Sequence, residues 1–432
     1  MGKTSYRIEK GNFFINGKLT YSEVPGSDKH IHGLLFNARF IQGIFDDRNP
    51  INKGKYDRFG KVFDPDVNTG QLVESIKEWY DAGIRAITIG LQGGGPIYTY
   101  EDWSVIDTGC FSEDGRNMNE AAKARLLRII EACDRIGMLV IVSFLYQAQE
   151  HLFHDGTAMI EAVRTASEFL KETGYENIII EVANEHDVGN FVKHPVIYSG
   201  EGIAGLINLA REWSGNKFAV GSSGGGGSCK KEVIENSDVI LVHGNTLRRQ
   251  ELYDFLMNIR RQAPDKPIVC NEDSQMFSQL QVSYATHTSW GYYNNFTKQE
   301  PPADWSITPG EDTFFAVRLK NMILGKEKGE NQFYLQGFEP ACHIEQKRYI
   351  RLASLYPEDI NYVEFYQDNK LLYTSFAEPF MLYSITTWEQ KPYIIPEEAE
   401  EFRVKIYLHN GEVVEKSVDL REQKKIYCSR KD

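Results

Sequence analysis

The chain has 432 residues and a formal net charge of -13, with 41% hydrophobic and 25% charged residues. This length exceeds that of one ordinary core and predicts two domains, and the composition is that of a soluble globular protein. The negative charge argues against nucleic acid and anionic membranes as partners, because both require a positive protein surface.

The six cysteines lie far apart and form no Cys-x-x-Cys pair, which indicates neither a zinc cluster nor a disulfide scaffold. We therefore expect no metal and no cofactor. The N-terminal residues lack an apolar signal core, and no apolar run reaches 18 residues. These features predict a soluble protein, cytoplasmic unless a leader has been removed, and they leave the oligomeric state open.

The first elements are β-strands. Residues 6–21 alternate in polarity around Asn16-Gly17. This pattern predicts a β-hairpin or a strand pair in a lead-in of residues 1–30 that covers the floor of the following domain. A strand is then expected near residues 33–40.

From residue 64 onward, helical patterns alternate with short β-branched runs. Helices are expected near residues 66–81, 119–135, 157–173, 202–213, 230–235, 249–262 and 313–324, with strands near 84–89, 138–145, 177–183, 218–221, 239–242, 268–270 and 288–293. Eight strands that alternate with helices predict an α/β fold of the (β/α)8 TIM-barrel type over residues 31–328. The segment Gly221–Ser228 is rich in glycine, but it lacks the Gly-Lys-Ser/Thr ending of a phosphate loop.

Beyond about residue 329 the period changes from helical to alternating. Short strands separated by turn residues such as Asp368-Asn369 and Asn410-Gly411 predict a smaller all-β sandwich domain over residues 329–432.

Functional residues of such a barrel lie at the carboxyl ends of its strands. The predicted strand ends carry polar, aromatic and acidic side chains: Gln92, Tyr146, Asn184 with Glu185, Ser222, His243 with Asn245, Glu272 and Trp290. We therefore expect these side chains to meet at one mouth of the barrel.

Two of these residues, Glu185 and Glu272, are acids that would face one cleft. Hydrolysis of a glycosidic bond requires such a pair, because one carboxyl protonates the leaving oxygen while the other attacks or activates water. In a retaining reaction Glu272 would have to be ionised, and its charge would raise the pKa of Glu185 so that Glu185 holds a proton near neutral pH.

Asn184-Glu185 after the fourth strand, Glu272 after the seventh and Trp290 after the eighth resemble the pattern of the clan A glycoside hydrolases. These (β/α)8 enzymes include cellulases, mannanases and β-galactosidases, and the resemblance covers roughly residues 33–324. It implies that Glu185 is the acid/base, that Glu272 is the nucleophile, and that the anomeric configuration is retained. It also implies that Asn184 binds the sugar 2-hydroxyl, that Trp290 forms a stacking floor, and that His243 occupies a ligand-binding position.

The expected substrate-binding set also includes Asn245, Tyr146 and Gln92. The sequence departs from many clan members at the third strand, where no histidine is evident. Tyr98, Tyr100 and Trp103, in the loop after the second strand, are candidates for the walls of further sugar subsites. The C-terminal segment around Val363–Leu372 resembles the bacterial immunoglobulin-like modules appended to carbohydrate enzymes, and we expect it to brace the barrel.

Purely structural interpretations compete with some of these roles. Trp290 could pack in the core, and Asp273 is expected to cap the helix after the seventh strand. Glu185-His186-Asp187 is disfavoured as a metal site, because three neighbours on a loop seldom converge on one ion.

Three hypotheses follow from the sequence. The leading one is a retaining glycoside hydrolase that acts on an oligosaccharide or polysaccharide. The alternatives are a non-catalytic carbohydrate-binding barrel and a barrel hydrolase or lyase that acts on another substrate.

Overall fold

The computed structural model describes residues 2–57, 62–93, 105–339 and 346–428. The chain begins with a small antiparallel sheet of β1 (Tyr6–Glu9), β2 (Asn12–Ile15) and β3 (Lys18–Leu19). Its two turns each place a non-glycine residue and a glycine at positive φ, as tight hairpin turns require. Phe13 of β2 is fully buried among the apolar side chains at the amino ends of the barrel strands, so this sheet covers the barrel floor.

Eight parallel strands follow, and the predicted (β/α)8 barrel is confirmed. They are β4 (Asn37–Arg39), β5 (Ala86–Gly90), β6 (Leu139–Tyr146), β7 (Ile178–Asn184), β8 (Ala219–Gly221), β9 (Ile240–His243), β10 (Ile268–Glu272) and β11 (Gly291–Tyr292). The ring closes because β11 pairs with β4. A bridge from Ser289 to Val269 joins β11 to β10, and β8 meets β9 where the Asp238 amide donates to the Val220 carbonyl.

Among the described residues, ten α-helices belong to the barrel part of the chain and one follows the C-terminal strands. They are α1 (Pro65–Asp81), α2 (Glu120–Ile136), α3 (Gly156–Glu172), α4 (Pro195–Tyr198), α5 (Gly200–Trp213), α6 (Lys231–Asn236), α7 (Arg249–Gln262), α8 (Ser278–Thr286), α9 (Asn295–Lys298), α10 (Glu311–Ile323) and α11 (Leu420–Cys428). Side chains of Asp64, Asn119 and Asp155 cap the amino ends of α1, α2 and α3. The first residues of these helices could therefore be predicted from the sequence. Among the described residues, no helix is long and apolar enough to cross a membrane.

The sequence indicates a helix after the seventh strand but gives no bounds for it, and the structure shows this helix as α8. Polar and apolar residues of this helix are buried together, for example Ser278, Gln279 and Leu280. A helix buried on several sides has no single apolar stripe, so the periodicity that identifies a surface helix is missing.

The C-terminal part is built from antiparallel sheets, as the sequence predicts. Its strands are β12 (Phe333–Gln336), β13 (Lys347–Arg348), β14 (Arg351–Ser354), β15 (Ile360–Gln367), β16 (Lys370–Ser375), β17 (Phe380–Met381), β18 (Tyr393–Ile394), β19 (Glu401–Leu408) and β20 (Val413–Asp419). The strand order is β16-β15-β19-β20 in one sheet and β12-β14-β17 in another. A separate apolar core, which includes Val363, Phe365 and Phe402, lies here. The immunoglobulin-like topology and the domain boundaries at residues 30 and 328 stay predictions.

The β domain is attached to the barrel through buried contacts. Leu355 of the C-terminal part belongs to the same apolar core as the barrel helices. Arg351 Nη2 lies 2.7 Å from Glu311 Oε2 on α10, and both residues are buried. Because this contact is apolar as well as charged, we expect the two parts to hold a fixed orientation.

Candidate functional site

The structure brings Glu185 and Glu272 together at the mouth of the barrel. Glu185 follows β7 directly, Glu272 ends β10, and the carboxyl ends of parallel strands share one rim of the barrel. One oxygen of each carboxylate and a ring nitrogen of His243 lie within 4.8 Å of one another. The two glutamate side chains are 20% and 12% exposed, so they are accessible to a ligand but largely shielded from water.

The backbone of Glu185 has an unusual conformation. Its φ of 53° lies in the left-handed region, which costs a non-glycine residue on the order of 1 kcal/mol. The surrounding loops hold this conformation, because the Glu185 amide donates to Ser223 Oγ at 3.1 Å and the Val188 amide donates to the Glu185 carbonyl. The turn therefore points this side chain toward the barrel axis by fixed contacts with the loop after β8.

Glu272 is held by a buried arginine, Arg39, which was not among the site residues predicted from the sequence. Arg39 Nε, at the end of β4, lies 2.8 Å from Glu272 Oε2. Asn245 Nδ2 donates to the other carboxylate oxygen, Oε1, at 3.0 Å. Arg39 also donates through Nη2 to Asn184 Oδ1, so one guanidinium connects the first, fourth and seventh strands of the barrel.

His243 lies between the two acids. Its Nδ1 is 3.0 Å from Glu185 Oε1 and 3.5 Å from Glu272 Oε2. Its Nε2 is 3.9 Å from a third carboxylate, that of the fully buried Glu181, which accepts a hydrogen bond from Asn271 Nδ2. Carboxylates on both sides of the ring favour the charged imidazolium.

The pKa values of these groups follow from that arrangement. Burial lowers the pKa of His243, but the charges of Glu272 and Glu185 outweigh burial and raise it above 6.5. Burial raises the pKa of Glu272 above 4.5, although Arg39 and His243 oppose this. Burial also acts to raise the pKa of Glu185, but the hydrogen bond and charge of His243 hold it below 4.5. In the free protein the pKa of Glu185 is thus lowered and that of Glu272 raised, whereas the sequence-based expectation was a raised pKa for Glu185 and an ionised Glu272. The order is reversed because His243 donates its hydrogen bond to Glu185.

A cavity of about 280 Å³ opens beside the acid pair. Three of the expected substrate-binding residues line it, namely Asn184, Asn245 and Tyr146. His243 is buried behind the acids. Gln92 is buried and accepts a hydrogen bond from the Tyr146 amide at 2.8 Å, so it supports the wall of the cavity from behind.

Trp290 requires a correction, because the structure does not place it in the cavity. Its side chain is only 1% exposed and packs against Phe315 in the barrel core. Its Nε1 donates to Asp273 Oδ2 at 2.6 Å. The expected stacking floor is therefore replaced by core packing. The expected cap by Asp273 is also wrong, because α8 has no side-chain cap and Asp273 binds Trp290 instead.

Gln147 at the end of the third strand, Tyr293 near the end of the eighth and Gly226 of the glycine-rich loop also line the cavity, as their predicted positions at the rim suggest. Other lining residues were not singled out from the sequence: Arg39, Val188, Thr246, Asn295, Gln299 and Trp388. Of these, Arg39 could have been found, because a charged residue inside a buried strand is rare without a partner. Gly226 belongs to the glycine-rich loop, and a Cβ there would lie 2.0 Å from the Asn245 carbonyl oxygen, so only glycine fits. Tyr98, Tyr100 and Trp103 lie outside the described residues.

A second, larger cavity of about 490 Å³ lies between α1, the segment before α10 and β12. Asn68, Trp305 and Gln336 are among its lining residues, whereas the acid pair lines only the smaller cavity at the mouth. Chemistry that needs two carboxylates therefore belongs to the smaller one.

Glu185, His243 and Glu272 together could offer three ligand atoms to a metal ion. Such an ion would lie near the guanidinium of Arg39, and repulsion between the two cations disfavours it. The side chains of Glu185, His186 and Asp187, the other candidate metal ligands, do not converge on one point. His186 Nδ1 lies 3.3 Å from the Ile197 carbonyl, and Asp187 accepts from Ser228 Oγ and the Gly225 amide.

Neither a protein-family model nor a curated protein matches the sequence. Among solved structures, a putative glycoside hydrolase from Bacteroides vulgatus ATCC 8482 aligns with a TM-score of 0.52 and 10% identity, over 95% of this chain and 80% of that one. The endo-β-1,4-mannanase from Thermotoga petrophila aligns with a TM-score of 0.46 and 13% identity, over 89% and 96% of the two chains. A putative β-galactosidase from Bacteroides fragilis aligns with a TM-score of 0.44 and 11% identity over 96% of this chain, which spans 57% of that protein.

The first of these alignments establishes a shared fold that extends over both the barrel and the β domain. Together with the geometry above, it defines the chain as a (β/α)8-barrel protein with a paired-carboxylate site at the barrel mouth.

Proposed function

We propose that this protein hydrolyses glycosidic bonds with retention of configuration, with Glu272 as the nucleophile and Glu185 as the acid/base. One observation carries the proposal: a carboxylate oxygen of each residue lies within 4.8 Å of the other at the barrel mouth. Retaining enzymes hold their acids about 5–5.5 Å apart, whereas inverting enzymes need about 6.5–9.5 Å to admit a water molecule. The shared fold with a putative glycoside hydrolase supports the assignment.

The contacts of each acid fit its proposed step. Glu272 attacks the anomeric carbon, the glycosidic C–O bond breaks, and the leaving oxygen takes a proton from Glu185. In the second step Glu185 removes a proton from water, the water oxygen bonds to the anomeric carbon, and the ester bond to Glu272 breaks. Arg39 and Asn245 hold the carboxylate of Glu272 in one orientation for the attack.

The proton for the first step is stored in the pair formed by His243 and Glu185. The raised pKa of His243 and the lowered pKa of Glu185 favour the state in which His243 carries the proton of the pair. The two groups are 3.0 Å apart, so the proton can pass from Nδ1 to Oε1 when a bound sugar excludes water from Glu185. The pair thus serves as a general acid even though the free site favours an ionised Glu185 carboxylate.

The test compares the wild-type protein with Glu185→Ala and Glu272→Ala on aryl glycosides of both anomeric configurations and on polysaccharides. We expect each substitution to lower kcat/KM by about 10³-fold or more. Glu168→Ala, an exposed glutamate on α3, is the matched control and should retain wild-type activity. Equal turnover by all four proteins would exclude the proposal.

Two measurements assign the roles. A fluorosugar should leave a covalent adduct on Glu272 that mass spectrometry of peptides locates. Azide should rescue Glu272→Ala and give a glycosyl azide of inverted configuration, because azide attacks once in the space left by the carboxylate. An adduct on Glu185 would reverse the assignment.

A metal-dependent hydrolase or lyase is the second candidate, because three ligand-type side chains converge at this site. It predicts activity that a chelator abolishes and a divalent cation restores. The retaining proposal predicts that the same chelator leaves turnover unchanged.

A further inference from the structure

One segment of the β domain, Ser384–Gln390, reaches the barrel mouth. The Thr246 amide, after β9, donates to Thr387 Oγ1 at 2.8 Å. Asn295 Nδ2, after β11, donates to the Trp388 carbonyl at 2.6 Å. Two barrel loops that line the cavity therefore hold this segment by hydrogen bonds.

The segment is also held by its own contacts. Ser384 and Gln390 pair across it as an antiparallel bridge, and the Ile385 amide donates to the Glu389 carbonyl at 2.9 Å. The Trp388 and Glu389 amides donate to Thr386 Oγ1 at 3.3 and 3.0 Å. The position of the Trp388 backbone is thus fixed before any ligand arrives.

Trp388 lines the same cavity as the acid pair, and its side chain is only half-buried. The indole of Trp290 packs against the rings of Tyr292 and Phe315 in the barrel. Among the described residues, no aromatic ring packs on the indole of Trp388. An indole that keeps an open face inside a cavity offers an apolar surface with a polar edge. The C–H face of a pyranose ring has matching apolar character.

We propose that Trp388 is the stacking surface for a sugar ring of the substrate, so that the β domain completes the active site of the barrel. This inference rests on the proposed function in its choice of a sugar as the ligand. It assigns to the β domain a share in substrate recognition, with the barrel supplying the acids and the β domain supplying the aromatic wall.

The test uses the full chain with Trp388→Ala and Trp388→Phe, and Phe376→Ala as control. Phe376 is an aromatic residue of the same domain that is 74% exposed and does not line the cavity. We expect Trp388→Ala to raise KM and lower kcat/KM about tenfold or more, with a smaller change in kcat, because stacking acts in binding. Trp388→Phe should recover part of the loss, and Phe376→Ala should match the wild type.

Two readouts separate stacking from a structural role and from failure of the proposed function. The Tm of Trp388→Ala should stay close to that of the wild type, since a half-exposed ring adds little to the core. Acrylamide quenching of tryptophan fluorescence should fall when methyl β-glycosides of glucose, mannose or galactose are added, and this protection should vanish in Trp388→Phe.

The possible outcomes are distinct. Hydrolysis by the wild type with an unchanged KM in Trp388→Ala would overturn the inference and leave the proposed function standing. Protection of Trp388 by a glycoside without any hydrolysis would overturn the proposed function and uphold the stacking role. Neither hydrolysis nor protection would overturn both.

Discussion

The floor of the barrel and the layer of side chains just below its mouth are both buried, but they are filled with opposite kinds of side chain. At the floor, the interior is lined by Phe13 and by Leu35, Ala86, Leu139, Ile141, Ile179, Leu241 and Val269. Two residues further along the same strands, the interior-facing positions become polar, as Asn37, Thr88, Ser143, Glu181, His243 and Asn271. Since residues i and i+2 of a strand face the same side, the change takes place over about 7 Å.

This difference separates stability from function. Burial of apolar side chains stabilises the fold, whereas burial of charge costs free energy unless partners compensate it. At the mouth, ion pairs connect Arg39 to Glu272, Glu272 to His243 and His243 to Glu181, and a hydrophobic mouth would cost less. We infer that the floor maintains the barrel and that the mouth retains its charges for chemistry.

The largest expected effect comes from Arg39→Met, which removes one positive charge from the mouth. The buried Glu272 carboxylate then keeps only Asn245 and His243 as its described polar side-chain partners. Breaking a buried ion pair costs about 3–5 kcal/mol, so the free energy of unfolding in urea should fall by that amount. kcat/KM should fall by about 10²-fold or more, because Glu272, the proposed nucleophile, loses its orientation.

The double variant Arg39→Met/Glu272→Gln is the control for this effect. Its loss of stability should be smaller than the sum of the two single losses, because neither charge is left alone. Additive losses would mean that the two side chains do not interact and would contradict the ion pair.

At the floor, Phe13→Ala should also destabilise the protein by about 3–5 kcal/mol, through a cavity below the strands. In contrast to the mouth variant, kcat/KM measured well below the unfolding midpoint should equal that of the wild type. A loss of activity in folded Phe13→Ala would show that the floor and the mouth are coupled and that stability and activity are not separated between them.

Most of the fold could be predicted from the sequence, because local signals mark its elements. Capping residues and glycines bound the helices, and β-branched runs mark the buried strands; α7 begins and ends at the predicted residues 249 and 262. The bounds of α8 could not be predicted, because this helix is buried on several sides and carries no periodic pattern.

The site could be predicted only in part. Glu185 and Glu272 stand at strand ends, where a topological rule places them at one rim. The charge of Arg39 inside a buried strand signals that it has a partner, but the sequence does not say which one. The proposed contribution of Trp388 depends on how the two domains dock, which no local pattern encodes. Trp290 stands at a strand end as expected, but its indole turns into the core to bind Asp273.

Trp290→Phe tests that correction with a moderate effect. The aromatic bulk remains while the hydrogen bond to Asp273 is lost, so the free energy of unfolding should fall by about 1–3 kcal/mol. KM should not change, because the ring does not line the cavity. A rise in KM comparable to that of Trp388→Ala would restore Trp290 as the stacking residue and would place the aromatic wall in the barrel.

The smallest expected effect is a pH dependence that belongs to the mouth and is absent from the floor. The raised pKa of His243 contributes stability that is complete below pH 6.5 and is lost as the pH rises through the folded value. The lowered pKa of Glu185 contributes stability that is present above pH 4.5 and is lost as the pH falls through its folded value. The difference in unfolding free energy between the wild type and His243→Asn should therefore be largest between pH 4.5 and 6.5 and should shrink above that window. Phe13→Ala is the reference, since its difference in unfolding free energy from the wild type should stay constant across the same pH range. If the difference for His243→Asn were constant as well, the His243 ring would carry no charge in the folded protein. The proton for Glu185 would then have another source.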